Sequence, residues 1–388
     1  ICHVLFIQLK NNSFDGNLIV EDPNCELEFN GRISFDDELA GFDFKANVTQ
    51  ANLYKLNIDR SDPSSFASFL MHANGTGRNL DEFNGEINFL NSFFSKSDKQ
   101  IQLYGFRLMA NNTLDTSKIT IRSDFLDADI TGKYEFKYIK HSLKHFINRF
   151  VPSLYSDFKN FKQTAQNDFL IKGQFKNTQS FTNFFTPAIK IAENTSFNAT
   201  YDPDSSFIQF HIESSEFTYN NFSWSNVFVD AFSKNGLFSV ESGSKYFKVN
   251  DNIELENYSV YLDVFSDSVE FISRWHNWDT VLYKGSISAY GGFREDINAG
   301  PGLLLKIPSS RIIMGDSIWN VQQCNVQIDS TNINIDQFKI ERDHQSFLVA
   351  GDISKDKNDV LLIQFNDFEL SNFNILTRNK NMLLDGIL

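Results

Sequence analysis

Nine of the nineteen glycines stand in one frame, apolar-x-Gly-x-apolar. They are Phe14-Gly16-Leu18, Phe29-Gly31-Ile33, Phe83-Gly85-Ile87, Ile130-Gly132-Tyr134, Ile171-Gly173-Phe175, Tyr283-Gly285-Ile287, Ala289-Gly291-Phe293, Val349-Gly351-Ile353 and Leu384-Gly386-Leu388. Chance placement at this composition would give about three, so the frame marks a repeated period-two unit. In an extended chain residues i, i+2 and i+4 share a face, and each unit therefore sets two apolar groups and one bare glycine on a single surface. That surface needs an apolar partner.

Alternation runs through most of the chain, as in KITIRSDF at 118–125, SFIQFHIES at 206–214, IELENYSVYLDVF at 253–265 and DVLLIQFNDFEL at 359–370. One face of such strands is apolar and the other wet, the pattern of antiparallel sheet. Forty-one phenylalanines add a β-favouring bias. Glycine and proline number only 19 and 7, so turns fall to Asn, Asp and Ser, as in SDPSS and KDKND. The fold class expected is all-β: a long, twisted, mainly antiparallel sheet curled into an elongated apolar groove. Alternation alone leaves open whether the apolar face lines such a groove or closes on a second sheet as a sandwich.

At 388 residues the chain exceeds one ordinary compact domain. Spacing between the glycine units is irregular, which fits a solenoid of fixed rung length poorly. The organisation expected is a first β segment at 1–137, a helix-containing connection at 138–190 and a second β segment at 191–388. Within the connection Ile139, Leu143, Phe146, Ile147 and Phe150 fall at helical spacing ahead of Pro152, and the other face carries Lys140, His141, Lys144, His145 and Arg149. A basic amphipathic helix can lie on an anionic membrane. Packing across a sheet is the commoner cause of the pattern. A shorter helical turn is expected from Ser180 to Phe185.

A formal charge of −14 with no basic block argues against nucleic acid as a partner, because phosphate contacts need clustered Lys and Arg. Cys2, Cys25 and Cys324 are too few and scattered for a disulfide framework or a zinc site. No stretch approaches twenty apolar residues, and the opening ICHVLFIQLK has neither an initiator Met nor a secretory pattern, so the sequence reads as a middle piece of a longer protein.

Chemical motifs are weak throughout, and the expectation is no enzyme, no cofactor, no metal and no catalytic residue. His141 and His145 stand at i, i+4 without the Glu of the zinc-protease pattern, and read as helix-face residues. Asp124, Asp127 and Asp129 lie close together, but a calcium loop needs more ligands and a turn glycine in register. NGTGRN at 74–79 lacks the third glycine of a dinucleotide fingerprint. Trp275, Trp278 and Trp319 are read as packing aromatics rather than sugar platforms.

Four stretches taken in order carry a resemblance: FNGRISFDDELAGFDFKANVTQANLYKLNI at 29–58, NGTGRNLDEFNGEINF at 74–89, IRSDFLDADITGKYEF at 121–136 and QSFLVAGDISKDKNDVLLIQFNDFELSNFNIL at 345–376. Together they resemble the TamB family of translocation and assembly modules, in its Bacteroides-type form, within the wider AsmA-like group. The resemblance implies a periplasmic protein anchored to the inner membrane by a segment outside this sequence. It also implies a long β-groove (a "β-taco") that serves phospholipid transport and outer-membrane biogenesis and protein secretion, with phospholipid acyl chains as partner. An outer-membrane β-barrel assembly protein would be met through regions outside these residues.

Carried over, the resemblance makes Phe29, Ile33, Phe35, Phe83, Ile87, Phe89, Ile130, Tyr134, Phe136, Phe347, Val349 and Ile353 candidate groove-lining side chains. Gly31, Gly85, Gly132 and Gly351 become points where the sheet bends or a chain passes close. Two other functions compete. One is a scaffold or chaperone-like module whose sheet edges receive unfolded outer-membrane strands by β-augmentation. The other is a β-solenoid acting on polysaccharide, which needs a regular rung and a carboxylate cluster that the sequence lacks.

Overall fold

A computed structural model describes residues 2–10, 12–35, 40–113, 116–154, 167–202, 207–250, 253–278, 281–296, 300–373 and 385–387. The protein is all-β, built of antiparallel strands, with one long amphipathic helix. The chain divides into two compact units, residues 1–139 with 165–201 and residues 140–164 with 202–388.

The first unit is an up-and-down meander. Strands Cys2–Lys10, Ser13–Asp22, Cys25–Ser34, Gly41–Asn52 and Phe66–Thr76 pair in sequence order. The order continues through Asn84–Lys96, Lys99–Asn112, Ser117–Ser123 and Leu126–Lys133. Asp168–Phe175 then pairs with Leu126–Lys133, and Ser196–Asp202 with Asp168–Phe175. In Cys25–Ser34 the odd-numbered residues are half-buried while most even-numbered ones are exposed, which is the period-two pattern in physical form.

Rings run across this apolar face from strand to strand. Phe14 meets Phe29 at 5.5 Å, Phe29 meets Phe44 at 5.1 Å, Phe44 meets Phe42 at 6.0 Å, and Phe42 stacks on Phe83 at 5.9 Å. The series ends in a core of Phe83, Ala110, Ile119 and Tyr134, against which Ile87, Ile130 and Phe136 pack. Aromatic pairs at these separations add stabilisation beyond the area they bury.

The second unit opens as a meander of Phe207–Tyr219, Phe222–Lys234, Leu237–Asn250, Ile253–Phe265, Ser268–His276 and Lys284–Asp296. Lys284–Asp296 then divides its free edge: most of it pairs with Gly300–Ile307, while Lys284 bridges to Ile313 of the hairpin Ser310–Met314/Ser317–Val321. Asn332–Arg342 divides likewise between Cys324–Ile328 and Ser317–Val321 before pairing with Gln345–Ser354, which pairs with Leu361–Asn366. Where the hairpin is wedged in, Ile312, Trp319, Val321 and Phe368 form the second core.

Turns follow the composition. Among the described residues every non-glycine with positive φ is Asn, Asp or Ser, the side chains that tolerate a left-handed backbone through local hydrogen bonds. Asn235-Gly236 has φ of 53° and 79° between Lys234 and Leu237, as a tight hairpin turn requires.

Helix α1 spans Phe136–Phe150 and so begins two residues before the expected run. The Phe136 N–H donates to Asp81 Oδ1 at 2.6 Å, a cap supplied from far upstream in sequence. The second helix, α2, is Gln179–Phe185. No helix among the described residues is long and apolar enough to cross a membrane.

Candidate functional site

In the first unit an open pocket of about 770 Å³ lies at the Ser97 end of the hairpin Asn84–Lys96/Lys99–Asn112. Its walls are aromatic: Phe66, Phe94 and Phe106 from the strands, Phe125 from the turn after Ser117–Ser123, and Phe181, Phe184 and Phe185 from α2. Leu53, Ile101 and Leu103 complete the lining. The volume is in the range of roughly 300–1,000 Å³ typical of small-molecule sites.

The helix supplies its rings by spacing. Phe181 and Phe185 stand one turn apart with centroids 4.7 Å from each other, and Phe181 stacks on Phe125 at 4.2 Å. Thr182 is buried against the helix backbone, its hydroxyl donating to Thr178 O at 3.1 Å. Phe185 stays 56% exposed at the mouth.

One rim of the pocket is polar and tied down. Asp59, in the connection between Gly41–Asn52 and Phe66–Thr76, accepts from Lys96 Nζ at 2.8 Å, Ser61 Oγ at 2.6 Å and Ser65 Oγ at 2.7 Å. The Lys96 ammonium, followed by the serine donors, holds the Asp59 carboxyl far below the usual carboxylate range. Asp62 is lowered as well, chiefly by the Ser97 hydroxyl. The Ser97 N–H donates to Ser64 Oγ at 2.9 Å, so the segment 59–65 is fastened to the hairpin tip.

The residues expected to line a groove divide by environment. Phe83 and Tyr134, each 6% exposed, are core, and Ile87, Ile130 and Phe136 pack against them. Phe89 lies beside the pocket: its ring meets Phe106 at 6.3 Å and Phe69 at 5.5 Å, and Phe69 meets Phe94 at 6.4 Å. Phe29 and Ile33 are half-buried on the same face of Cys25–Ser34, and Phe35 just beyond that strand is 67% exposed. In the second unit Phe347 packs on the Trp319 core, Val349 is half-buried opposite Phe338, and Ile353 is 45% exposed.

Gly31, Gly85, Gly132 and Gly351 share a backbone peculiarity, with φ of 143°, 147°, 137° and 109°. A Cβ at residue 31 would overlap the carbonyl oxygen of Asp43, and one at residue 132 that of Asp168, on the neighbouring strand. The same holds for residue 85 against Asn74 and residue 351 against Val360. Backbones meet at these points with no space for a side chain.

Asp127 and Asp129 of the acidic run form ion pairs, while Asp124 accepts from the Gly105 N–H at 3.2 Å. Asp129 meets Arg122 Nη2 at 2.8 Å and Thr120 Oγ1 at 2.8 Å, while Asp127 meets Lys176 at 2.8 Å. His145 is driven toward its neutral form by burial and by Arg149. Trp319 is fully buried core and Trp278 is 82% exposed. Among the described residues no group of three His, Cys, Asp or Glu is placed to hold a metal ion.

The pocket was not legible as a site because its wall comes from Phe94, Phe125 and α2, far apart in sequence. The one local signal is the pair of aromatic doublets, Phe93-Phe94 and Phe184-Phe185. The chain has no significant match to a protein-family model, to a curated protein or to a solved structure. The resemblance drawn from the four sequence stretches therefore rests on those residues alone.

Proposed function

We propose that this chain is a lipid-handling module without a chemical step, a periplasmic bridge-like element of the kind the TamB resemblance implies. Its apolar sheet face takes phospholipid acyl chains between membranes. The observation that carries the reading is the phenylalanine pocket of the first unit, open at Phe185 and joined through Phe106 and Phe94 to the ring ladder of Phe89 and Phe69. Ten methylenes entering such a lining would contribute roughly 8 kcal/mol, of the same order as the cost of association. The polar rim at Asp59 and Lys96 suits the headgroup end, where water is retained. Mass spectrometry of lipid copurifying with the 388-residue chain tests the reading, with acyl lipid near one equivalent expected. A lipid-free protein that also fails to take up a fluorescent fatty acid removes it.

A second reading, the β-augmentation scaffold, is favoured by strand Leu361–Asn366. Among the described residues it pairs on one side only, with Gln345–Ser354. Leu362 and Ile363 are 49% and 55% exposed. An exposed apolar edge invites another strand. Capture of an extended peptide at Ile363 by a lipid-free chain would favour this reading over the first.

A further inference from the structure

The phenylalanine pocket of the first unit limits what can enter it. Strand Lys99–Asn112 shows how its wall turns from polar to apolar. Lys99 stands at the hairpin tip, Ile101 and Leu103 follow on one face, and the alternation breaks at Tyr104–Gly105, so that Phe106 continues the wall. Ile101, 1% exposed, forms the floor, and Phe185 the mouth. Polar lining is confined to Asp59, Ser65 and residues 95–99, apart from the Phe side chains of strand and helix. With Asp59, Asp62 and Asp98 interspersed among Lys96 and Lys99, the rim offers no patch of one sign, and the charge of a ligand's head does not decide entry.

Size decides instead. A methylene group is close to a water molecule in volume, whose share of the liquid is about 30 Å³, so a pocket of about 770 Å³ holds roughly 25 such groups. One membrane-length acyl chain and the first atoms of its head fill that space, and two chains exceed it. Resting on the acyl reading above, we infer that the pocket takes a single-chain amphiphile, a free fatty acid or a lysophospholipid, in preference to an intact diacyl phospholipid. A single-chain lipid leaving a bilayer exposes one chain and reburies it in the pocket. A diacyl lipid exposes two and reburies one, and the second chain stays in water at the mouth, where each methylene opposes transfer.

The test incubates the full chain with phosphatidylcholine vesicles containing palmitic acid and palmitoyl lysophosphatidylcholine, separates protein from vesicles at equilibrium and measures bound lipid by mass spectrometry. Single-chain lipid near one equivalent is expected, with diacyl lipid lower by roughly 10-fold or more. The ratio of fatty acid to lysophospholipid tells which source fills the site. Leu103→Trp should lower the single-chain signal several-fold. F94A/F106A enlarges the pocket and should raise diacyl uptake; should that variant fail to fold, Leu103→Ala enlarges it by less and carries the same expectation. Diacyl lipid bound as well as single-chain lipid overturns the inference and leaves the acyl reading intact. Absence of bound lipid of either kind removes both. Single-chain lipid undiminished in Leu103→Trp places the ligand outside the pocket and also overturns the inference.

Discussion

Trp275 lies across Gly285. The two residues are directly opposed on strands Ser268–His276 and Lys284–Asp296, and the six-membered ring of the indole occupies the space that a Cβ on residue 285 would fill. Phe228 covers Gly243 and Phe197 covers Gly173 in the same way, each from the directly opposed position. An aromatic ring laid on a cross-strand glycine restores the packing that the missing side chain forfeits.

Gly285→Ala must therefore displace the indole, at a cost of about 1–3 kcal/mol. The urea midpoint should fall and the tryptophan emission should shift to the red. On a Trp275→Ala background the same glycine substitution should cost much less, because no ring remains to be moved. Equal costs on the two backgrounds would show that the ring is not what keeps residue 285 a glycine.

Gly132 belongs to a different class, since its obstacle is the Asp168 carbonyl and its φ is 137°. Backbone cannot swing aside as a ring can. Gly132→Ala should cost about 3 kcal/mol or more, and removing neighbouring side chains should not rescue it. Chemical denaturation of Gly132→Ala alone and with Phe169→Ala checks this.

The apolar-x-Gly-x-apolar frame shows in sequence which residues share a face, but not which glycines meet a ring and which meet a carbonyl. Gly31 and Gly132 oppose Phe44 and Phe169 just as Gly285 opposes Trp275, yet at φ of 143° and 137° they meet backbone rather than a ring. Phe83 and Phe89 are alike in local pattern, yet Phe83 is sealed beneath Phe42 and Tyr134 while Phe89 abuts an open pocket. Helical spacing placed α1, whereas its true start needed the Asp81 cap, which nothing near residue 136 announces. Backbone conformation decided the first of these points and long-range pairing the others, and alternation is blind to both.

Tyr134 provides a pH test of the first core. Burial pushes its phenol up to about 12, and the hydroxyl lies 3.2 Å from Asn112 Oδ1. An unfolded tyrosine ionises near pH 10. Between pH 10 and pH 12 the unfolded state releases the proton while the folded state keeps it, so stability should fall by about 1.4 kcal/mol per pH unit in that window. Tyr134→Phe should abolish this part of the slope. Absorbance at 295 nm should show one fewer late-titrating phenol in the variant than in the wild type, Tyr261 staying raised in both by its bond to Glu241.

Asp59 acts in the opposite pH range. Its folded carboxyl is held far below the usual range by Lys96 first, so its contribution is complete above the unfolded value near pH 4 and fades as pH falls below it. Amide-exchange protection factors in residues 59–65, corrected for the intrinsic pH dependence of exchange, should fall in wild type only below about pH 4. Asp59→Asn and Lys96→Met should show the lower protection already at pH 7. Unchanged exchange in both variants would separate the loop from the ion pair.

Core and lining make different demands on an aromatic side chain, and that difference tests the proposed acyl site. Phe185 is 56% exposed at the pocket mouth, while Tyr104, on the outward face of the pocket hairpin, is 70% exposed. A photo-crosslinker at residue 185 should capture acyl chains more efficiently than one at residue 104, and greater accessibility cannot explain that preference. Leu103→Trp fills the lining from within, where the pocket is open and has space for the ring, so lipid occupancy should fall several-fold while the thermal midpoint holds. Phe83→Asp puts a carboxylate into a sealed core and should unfold the first unit outright. Were Leu103→Trp to unfold the unit as Phe83→Asp does, the pocket would be ordinary core, and its phenylalanines would belong to stability rather than to a ligand.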